Sequence, residues 1–280
     1  MQHSTECLAP DRLFSPKSEL WRVDREMALL LAGGRALLMQ LAHPMVAGGV
    51  AQHSDFKADP LARLQRTMNA MWTIGFDERS RAEAALQRVN RIHEGVRGIV
   101  PASEPGLPAR EYFALDEDLL LWVHATLIDS ALAAYQAFVA PLSTAAKCRY
   151  YDDSKRLAEV FKIPREIVPA SLSEFEDYMR RMVAGGEITV GPTARILARD
   201  ILYPRPWLLR PAGPLFRLVS AGLLPRELRR GYGFTWNERR ERRLRLFTRM
   251  VRRFLPLLPA PLRIVPQARR AEREIQRLAR

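Results

Sequence analysis

The sequence predicts an all-α protein: a single large helical bundle-like domain with a basic amphipathic C-terminal helical extension. Three observations carry that prediction. Apolar residues recur at helical spacing, most clearly Ala82, Ala85, Leu86, Val89, Ile92 and Val96, which share one side of a 3.6-residue helix. Helix start signals precede such runs, at Asp59-Pro60 and at Asp116 ahead of Glu117 and Asp118. No stretch alternates apolar and polar residues over the length of a strand, and no internal repeat is evident.

Taken in order, residues 1–20 read as an irregular leader containing Pro10 and Pro16. A helix is expected over 24–42, with Met27, Leu30, Leu31, Leu38 and Leu41 as its apolar face. Gly33-Gly34 interrupts it. Each glycine there costs about 1 kcal/mol relative to alanine, so close approach by another helix or a ligand is expected. His43-Pro44 should break the helix, because the residue before proline avoids the α region. Gly48-Gly49 and residues 50–59, with His53-Ser54, read as a turn-rich connection.

Two consecutive helices follow. The first opens at Asp59-Pro60 and carries Arg63, Arg66 and Thr67 at i, i+3 and i+4, hence on one face. The second, over 78–97, carries His93 at the edge of its apolar stripe, four residues before Arg97. A proline-rich connection over 100–110 leads to a helix over 119–140 that is apolar nearly all round, broken mainly by His124, Asp129 and Gln136. Its length suits a bilayer, but a central Asp129 costs roughly 2.5–3.5 kcal/mol on insertion scales. The helix therefore reads as the buried centre of a bundle, with Asp129 paired to an arginine. Further helices are expected over 142–162, over 171–184 (behind a capping box at Ser171-x-x-Glu174 or Ser173-x-x-Glu176) and over 192–202. Beyond 203 come prolines, an arginine-rich amphipathic helix over 237–255 and a last helix over 267–280. The expected organisation is a leader (1–20), a helical core (21–202) and an arginine-rich region (203–280) packing on or extending that core.

With 280 residues, 48% apolar and 27% charged, the chain can bury a sizeable core and disorder is not expected. Its net charge of +13 is uneven. From Arg205 to Arg280 there are 20 arginines, no lysine and 5 acids, so the rest of the chain is slightly acidic. That basic end has three readings: a solvated face, an amphipathic helix on anionic lipid through Leu244, Phe247, Phe254 and Leu255, or nucleic-acid binding, which ranks last because no recognition motif accompanies it. Cys7 and Cys148 lack metal-ligand spacing and nothing favours a disulfide between them. No signal peptide is seen, and a cytoplasmic location, peripheral at a membrane if the basic end docks there, is expected.

From the residues alone, each candidate side chain has two readings. His93 is either a satisfied core histidine or a nitrogen donor to a metal. His124, on a face with Leu120, Leu127, Ile128 and Ala131, reads better as a hydrogen-bonded core histidine but rivals His93 as ligand. His43 and His53 sit at helix breaks, within reach of any pocket beside Gly33-Gly34. Arg63 and Arg66 are either solvated or bind carboxylates, and Thr67 is free to bond back to its own helix. A non-haem centre built from His43, His53, His93 and His124 lacks ligand spacing.

Six blocks in order carry a resemblance. They are Leu37-Leu38-Met39-Gln40-Leu41-Ala42-His43-Pro44; Gly49-Val50-x-x-His53-Ser54; Arg63-x-x-Arg66-Thr67; His93-x-x-Val96-x-Gly98; Tyr112-x-Ala114; and Leu121-Trp122-Val123-His124-Ala125. Leu224-Pro225-x-x-Leu228-Arg229 through Trp236 adds a closing segment. Together they resemble the MpaB-like oxygenase family, which includes the rubber oxygenase (latex clearing protein) catalytic domain. The resemblance implies an all-helical fold, a b-type haem with a histidine as proximal iron ligand, dioxygen as co-substrate, and oxidation of apolar chains. By order along the chain the ligand is His93, with Arg97, His124 and His43 around the cofactor. Arg63, Arg66 and Thr67 face the reacting oxygen, and helices around Leu30, Leu38 and Leu120 shape an apolar channel. The rubber-cleaving branch has Arg-x-x-Lys-Thr where this chain has Arg63-x-x-Arg66-Thr67. Arginine stays charged where a buried lysine can lose its proton. The alternative is a non-enzymatic basic helical module binding a membrane surface or nucleic acid.

Overall fold

Helices account for most of this computed structural model, which describes residues 11–53, 60–101, 109–203 and 211–278, with the side chains of 60–64 excepted. Cys7, Asp59 and the centre of the proline-rich connection lie outside the described residues. Helix α1 (Glu19–Asp24) starts at Ser18, whose hydroxyl accepts from the Trp21 N–H. Trp21 is buried, meets Phe76 edge to face at 4.9 Å, and donates its indole N–H to Glu272 at 3.0 Å. A 3-10 segment over Met27–Ala32 then leads into α2 (Gly33–Leu41), so the helix expected over 24–42 is split. The chain breaks at His43 and restarts at proline in α3 (Pro44–His53). Gly48 and Gly49 lie inside this helix rather than in a turn, where a Cβ would press on Val100 and Tyr112.

Helices α4 (Pro60–Phe76) and α5 (Arg79–Glu94) form an antiparallel hairpin. Helix α5 ends at Gly95, before Arg97, which instead opens strand β1 (Arg97–Val100). Strand β2 (Arg110–Phe113) pairs with it antiparallel, Gly98 opposite Tyr112. This small sheet was not expected, because four-residue strands are too short to display a period of two.

Helix α6 (Glu117–Phe138) is the central helix, capped by Asp116, whose carboxylate accepts from the backbone of Asp118 and Leu119. The 3-10 segment, α1, α2 and α7 (Thr144–Val160) pack around it. Its Asp129 pairs with Arg35 of α2, as the carboxylate on an apolar helix required. No single helix among the described residues is long and apolar enough to cross a membrane. Helix α8 (Leu172–Ala184) begins at Ser171, whose hydroxyl accepts from the Glu174 N–H, while Glu174 takes the Ala170 N–H. Helix α9 (Pro192–Leu202) lies against α2 and α3.

The basic region supplies α10 (Gly213–Leu223), α11 (Arg226–Gly231), α12 (Glu238–Phe254), α13 (Ala260–Arg263) and α14 (Pro266–Leu278). Of these, α10 packs on α2, α12 on α6 and α14 on α4. The face expected to meet lipid is corrected here. Leu244 and Leu255 are buried, and Phe247 meets Phe138 edge to face at 6.0 Å, so three of the four residues belong to the core and only Phe254 is exposed.

Candidate functional site

The α4–α5 hairpin and the α3–β1 contact position the sequence-predicted residues. The hairpin turn at Asp77-Glu78 sets the level of Arg63 opposite that of His93, with Arg66 and Thr67 about one turn nearer the bend. Arg66 and Thr67 are exposed. The Arg63 side chain lies outside the described ones. His93 occupies the last turn of α5 and is half-buried, and its carbonyl accepts from the Val96 N–H at 3.0 Å as the chain leaves for β1. Its Nδ1 is sealed from solvent and has no partner among the described residues. Burial lowers its pKa, which keeps the ring neutral.

Arg97 is exposed on β1, and its carbonyl accepts from His53 Nε2 at 2.9 Å. That bond ties the last turn of α3 to the sheet. His43, at the α2–α3 break, accepts the Met45 N–H on Nδ1 at 3.3 Å, so its neutral ring carries the proton on Nε2. Burial pushes its pKa down to about 4, against the opposing pull of the Asp116 charge. His124 lies in the core of α6, 6% exposed, and burial alone takes its pKa to about 4. Its Nε2 has no partner among the described residues, contrary to the expected hydrogen-bonded core histidine. Two neutral imidazoles, His93 and His124, thus each hold a buried nitrogen free to donate a lone pair. Among the described residues no three His, Cys, Asp or Glu side chains converge as a metal cluster.

Two cavities among the described residues bear on this. One, of about 40 Å³, lies between α2, α3 and α9, lined by Leu37, Leu41, Val46, Val50, Leu197 and Ile201 with Gln40 its single polar side chain. It is far too small for a porphyrin and is a packing gap. The other is an open cleft of about 710 Å³ at the start of α12, between Arg226, Trp236, Glu241 and Arg245. Neither is lined by a histidine. Of the residues expected around an apolar channel, Leu38 is fully buried and Leu30 is 37% exposed. Beside Gly34, Ser220 and Phe216 of α10 fill the space.

Sequence reasoning missed the buried indole N–H of Trp122, which has no partner among the described residues, and the role of Arg229. The Arg229 guanidinium donates to the carbonyls of Ala221, Gly222 and Leu224, which closes the end of α10, and stacks on Trp236 at 4.3 Å. The spacing Leu228-Arg229 through Trp236 carried that signal without its meaning.

Comparison with known proteins gives consistent results. The model of one family, described as ER-bound oxygenase mpaB/B′/rubber oxygenase, catalytic domain, matches residues 21–253. The chain is also similar to uncharacterized proteins of Mycobacterium bovis and Mycobacterium tuberculosis. Each is 29% identical over 222 residues, which cover 78% of this chain and 82% of the relative. No solved structure matches.

Proposed function

The chain belongs to the ER-bound oxygenase mpaB/B′ and rubber oxygenase catalytic-domain family, and on that premise we propose that it is a haem-dependent oxygenase with His93 as the proximal ligand of iron. Membership makes it an oxygenase by class, with a small-molecule substrate and dioxygen. We further read the substrate as apolar and the cofactor as haem b.

The observation that supports this reading is His93 Nδ1. A buried polar atom ordinarily has a hydrogen-bond partner, and this one has none among the described residues. A ring kept neutral by burial holds its lone pair available, which is the form that iron binds. The donor therefore fits. When bound, a haem supplies dioxygen binding and the redox chemistry, while the protein supplies orientation and exclusion of water.

The chain's own residues then have separate tasks. His93 would hold the cofactor to α5, and Arg63, Arg66 and Thr67 of α4 would orient or polarise the oxidant. The planar fork of Arg97 suits a propionate carboxylate. His43, half-buried, and His124, buried, both neutral, would add polarity without charge near the cofactor.

A visible spectrum tests this. Full-length protein titrated with haem should develop the Soret band of a histidine-ligated haem, which His93→Ala loses and His124→Ala keeps. Free imidazole should restore the band to His93→Ala. Loss in His124→Ala with retention in His93→Ala would move the ligand to α6. Protein that stays colourless with added haem would remove the haem reading altogether.

A further inference from the structure

The C-terminal helices carry an apolar ridge that no described residue covers. On α12, Leu244, Phe247, Val251 and Leu255 turn inward and join the core around Phe138. A second set, Leu246, Met250 and Phe254, recurs every four residues about a third of a turn round the helix. These three are 68%, 47% and 58% exposed. Proline at 256, 259 and 261 then breaks the helix, and Leu257, Leu258 and Leu262, next along the chain, are 70%, 41% and 62% exposed. Scattered apolar residues are ordinary on a surface, but six large ones within seventeen consecutive residues form a patch of the kind that marks an interaction site.

The charges along that stretch of chain have one sign. Between Arg242 and Arg263 there are seven arginines and no acid. Arg242, Arg243, Arg249 and Arg253 are exposed and make no hydrogen bond or ion pair with any described residue. Helical geometry sets Arg242, Arg249 and Arg253 along one flank of the Leu246–Met250–Phe254 row and Arg243 within it. Apolar tips and unpaired guanidiniums therefore point the same way.

We propose that this face docks on the surface of an anionic lipid bilayer. The ridge sinks into the boundary between headgroups and acyl chains, with α12 lying in the plane of the surface. The arginines bind headgroup phosphates and carboxylates while their aliphatic stems cover apolar surface. Charge complementarity selects this occupant. A second copy of the chain would set arginine against arginine, and a nucleic acid would satisfy the arginines but leave six apolar side chains in water. None of these residues belongs to the set around His93, so this surface stands or falls apart from the oxygenase reading.

The test is co-sedimentation of the full-length protein with phosphatidylcholine vesicles, plain or with about one-third phosphatidylserine. Binding is expected to the anionic vesicles only, and to fall about tenfold or more between roughly 0.1 M and 1 M salt. L246S/M250S/F254S should weaken it about tenfold or more at low salt, since lost apolar insertion is not screened, and R242Q/R249Q/R253Q should remove its salt dependence. Unchanged circular dichroism and melting show that the variants fold. If the triple serine variant does not fold, single L257S and L262S in the same assay take its place. The proposal is overturned by equal binding to neutral vesicles, by no binding to either, or by a serine variant that binds like the parent. A dimer in sedimentation that the serine variant dissolves overturns it too, as does binding to duplex DNA without binding to vesicles.

Discussion

Arg35 of α2 reaches Asp129 of α6, and the same guanidinium donates to Ser130 Oγ at 2.5 Å and to the Leu223 carbonyl at 2.8 Å. One cation, 4% exposed, thereby ties α2, the central helix and the end of α10. Removing it leaves a half-buried carboxylate and two further acceptors without partners. We expect Arg35→Ala to cost about 3–5 kcal/mol in urea unfolding. Asp129→Asn should cost only about 1–2 kcal/mol, because Arg35 keeps its other acceptors. A cost below about 1 kcal/mol for Arg35→Ala would mean that the three-way tie contributes little.

The neighbouring glycines separate propensity from packing. Gly33 and Gly34 both begin α2, but a Cβ on Gly34 would lie 2.1 Å from Ser220 Oγ and 2.8 Å from Phe216, whereas a Cβ on Gly33 meets nothing within 4 Å. Gly34→Ala should therefore cost about 1–3 kcal/mol through overpacking. Gly33→Ala should be neutral or stabilise by up to about 1 kcal/mol. Ser220→Gly in the Gly34→Ala background should recover part of the loss. Equal melting temperatures for the two alanine variants would contradict the crossing of α2 and α10.

Much of this architecture was readable in advance, and particular residues show why the rest was not. Asp116, Ser171 and Pro192 announce helices locally, and the structure starts helices there. Asp129 announced that it needed a cation, but the choice of Arg35 among 44 basic residues depends on a contact 94 positions away. The ridge at Leu246 was missed because α12 has two apolar rows. Periodicity cannot say which row Phe138 will cover. At the candidate site, the block containing His93 was recognisable. That its Nδ1 lacks a partner depends on everything packed around α5, which no spacing rule conveys.

Arg229 offers a test of the closing segment. Its three hydrogen bonds to the end of α10 and its stacking on Trp236 make it the latch between α10 and α11. Burial lowers its pKa, yet it stays charged at any working pH. Arg229→Ala should destabilise the protein by about 2–3 kcal/mol, from charged hydrogen bonds lost at a helix C-terminus. Arg229→Lys should recover less than half of that, since a point charge cannot serve three carbonyls and a ring face together. Full recovery by lysine would show that charge alone matters.

Acid sensitivity follows from His124 and His43, and the sign can be worked out. Both have folded pKa values near 4, pushed down by burial from 6.5. The unfolded chain therefore takes up protons between about pH 6.5 and 4 while the folded chain does not. Their contribution to stability is complete above pH 6.5 and is lost as pH falls to about 4, up to about 3 kcal/mol for each group. Asp24 runs the other way. Burial raises its pKa from 3.8 to about 7, against the hydrogen bond it accepts from Tyr150, so it weakens the fold as pH rises through that range. Stability should thus fall from pH 7 to 4.5, because these two imidazoles and His93, whose pKa burial also lowers, outweigh Asp24 and Glu26, whose carboxyls burial pushes up. Asp24→Asn removes one of those carboxyls and should steepen that fall, while His124→Gln should make it shallower by about one proton's worth. Urea midpoints at pH 7, 5.5 and 4.5 read both slopes. An unchanged slope in His124→Gln would mean that this imidazole is not held neutral inside α6.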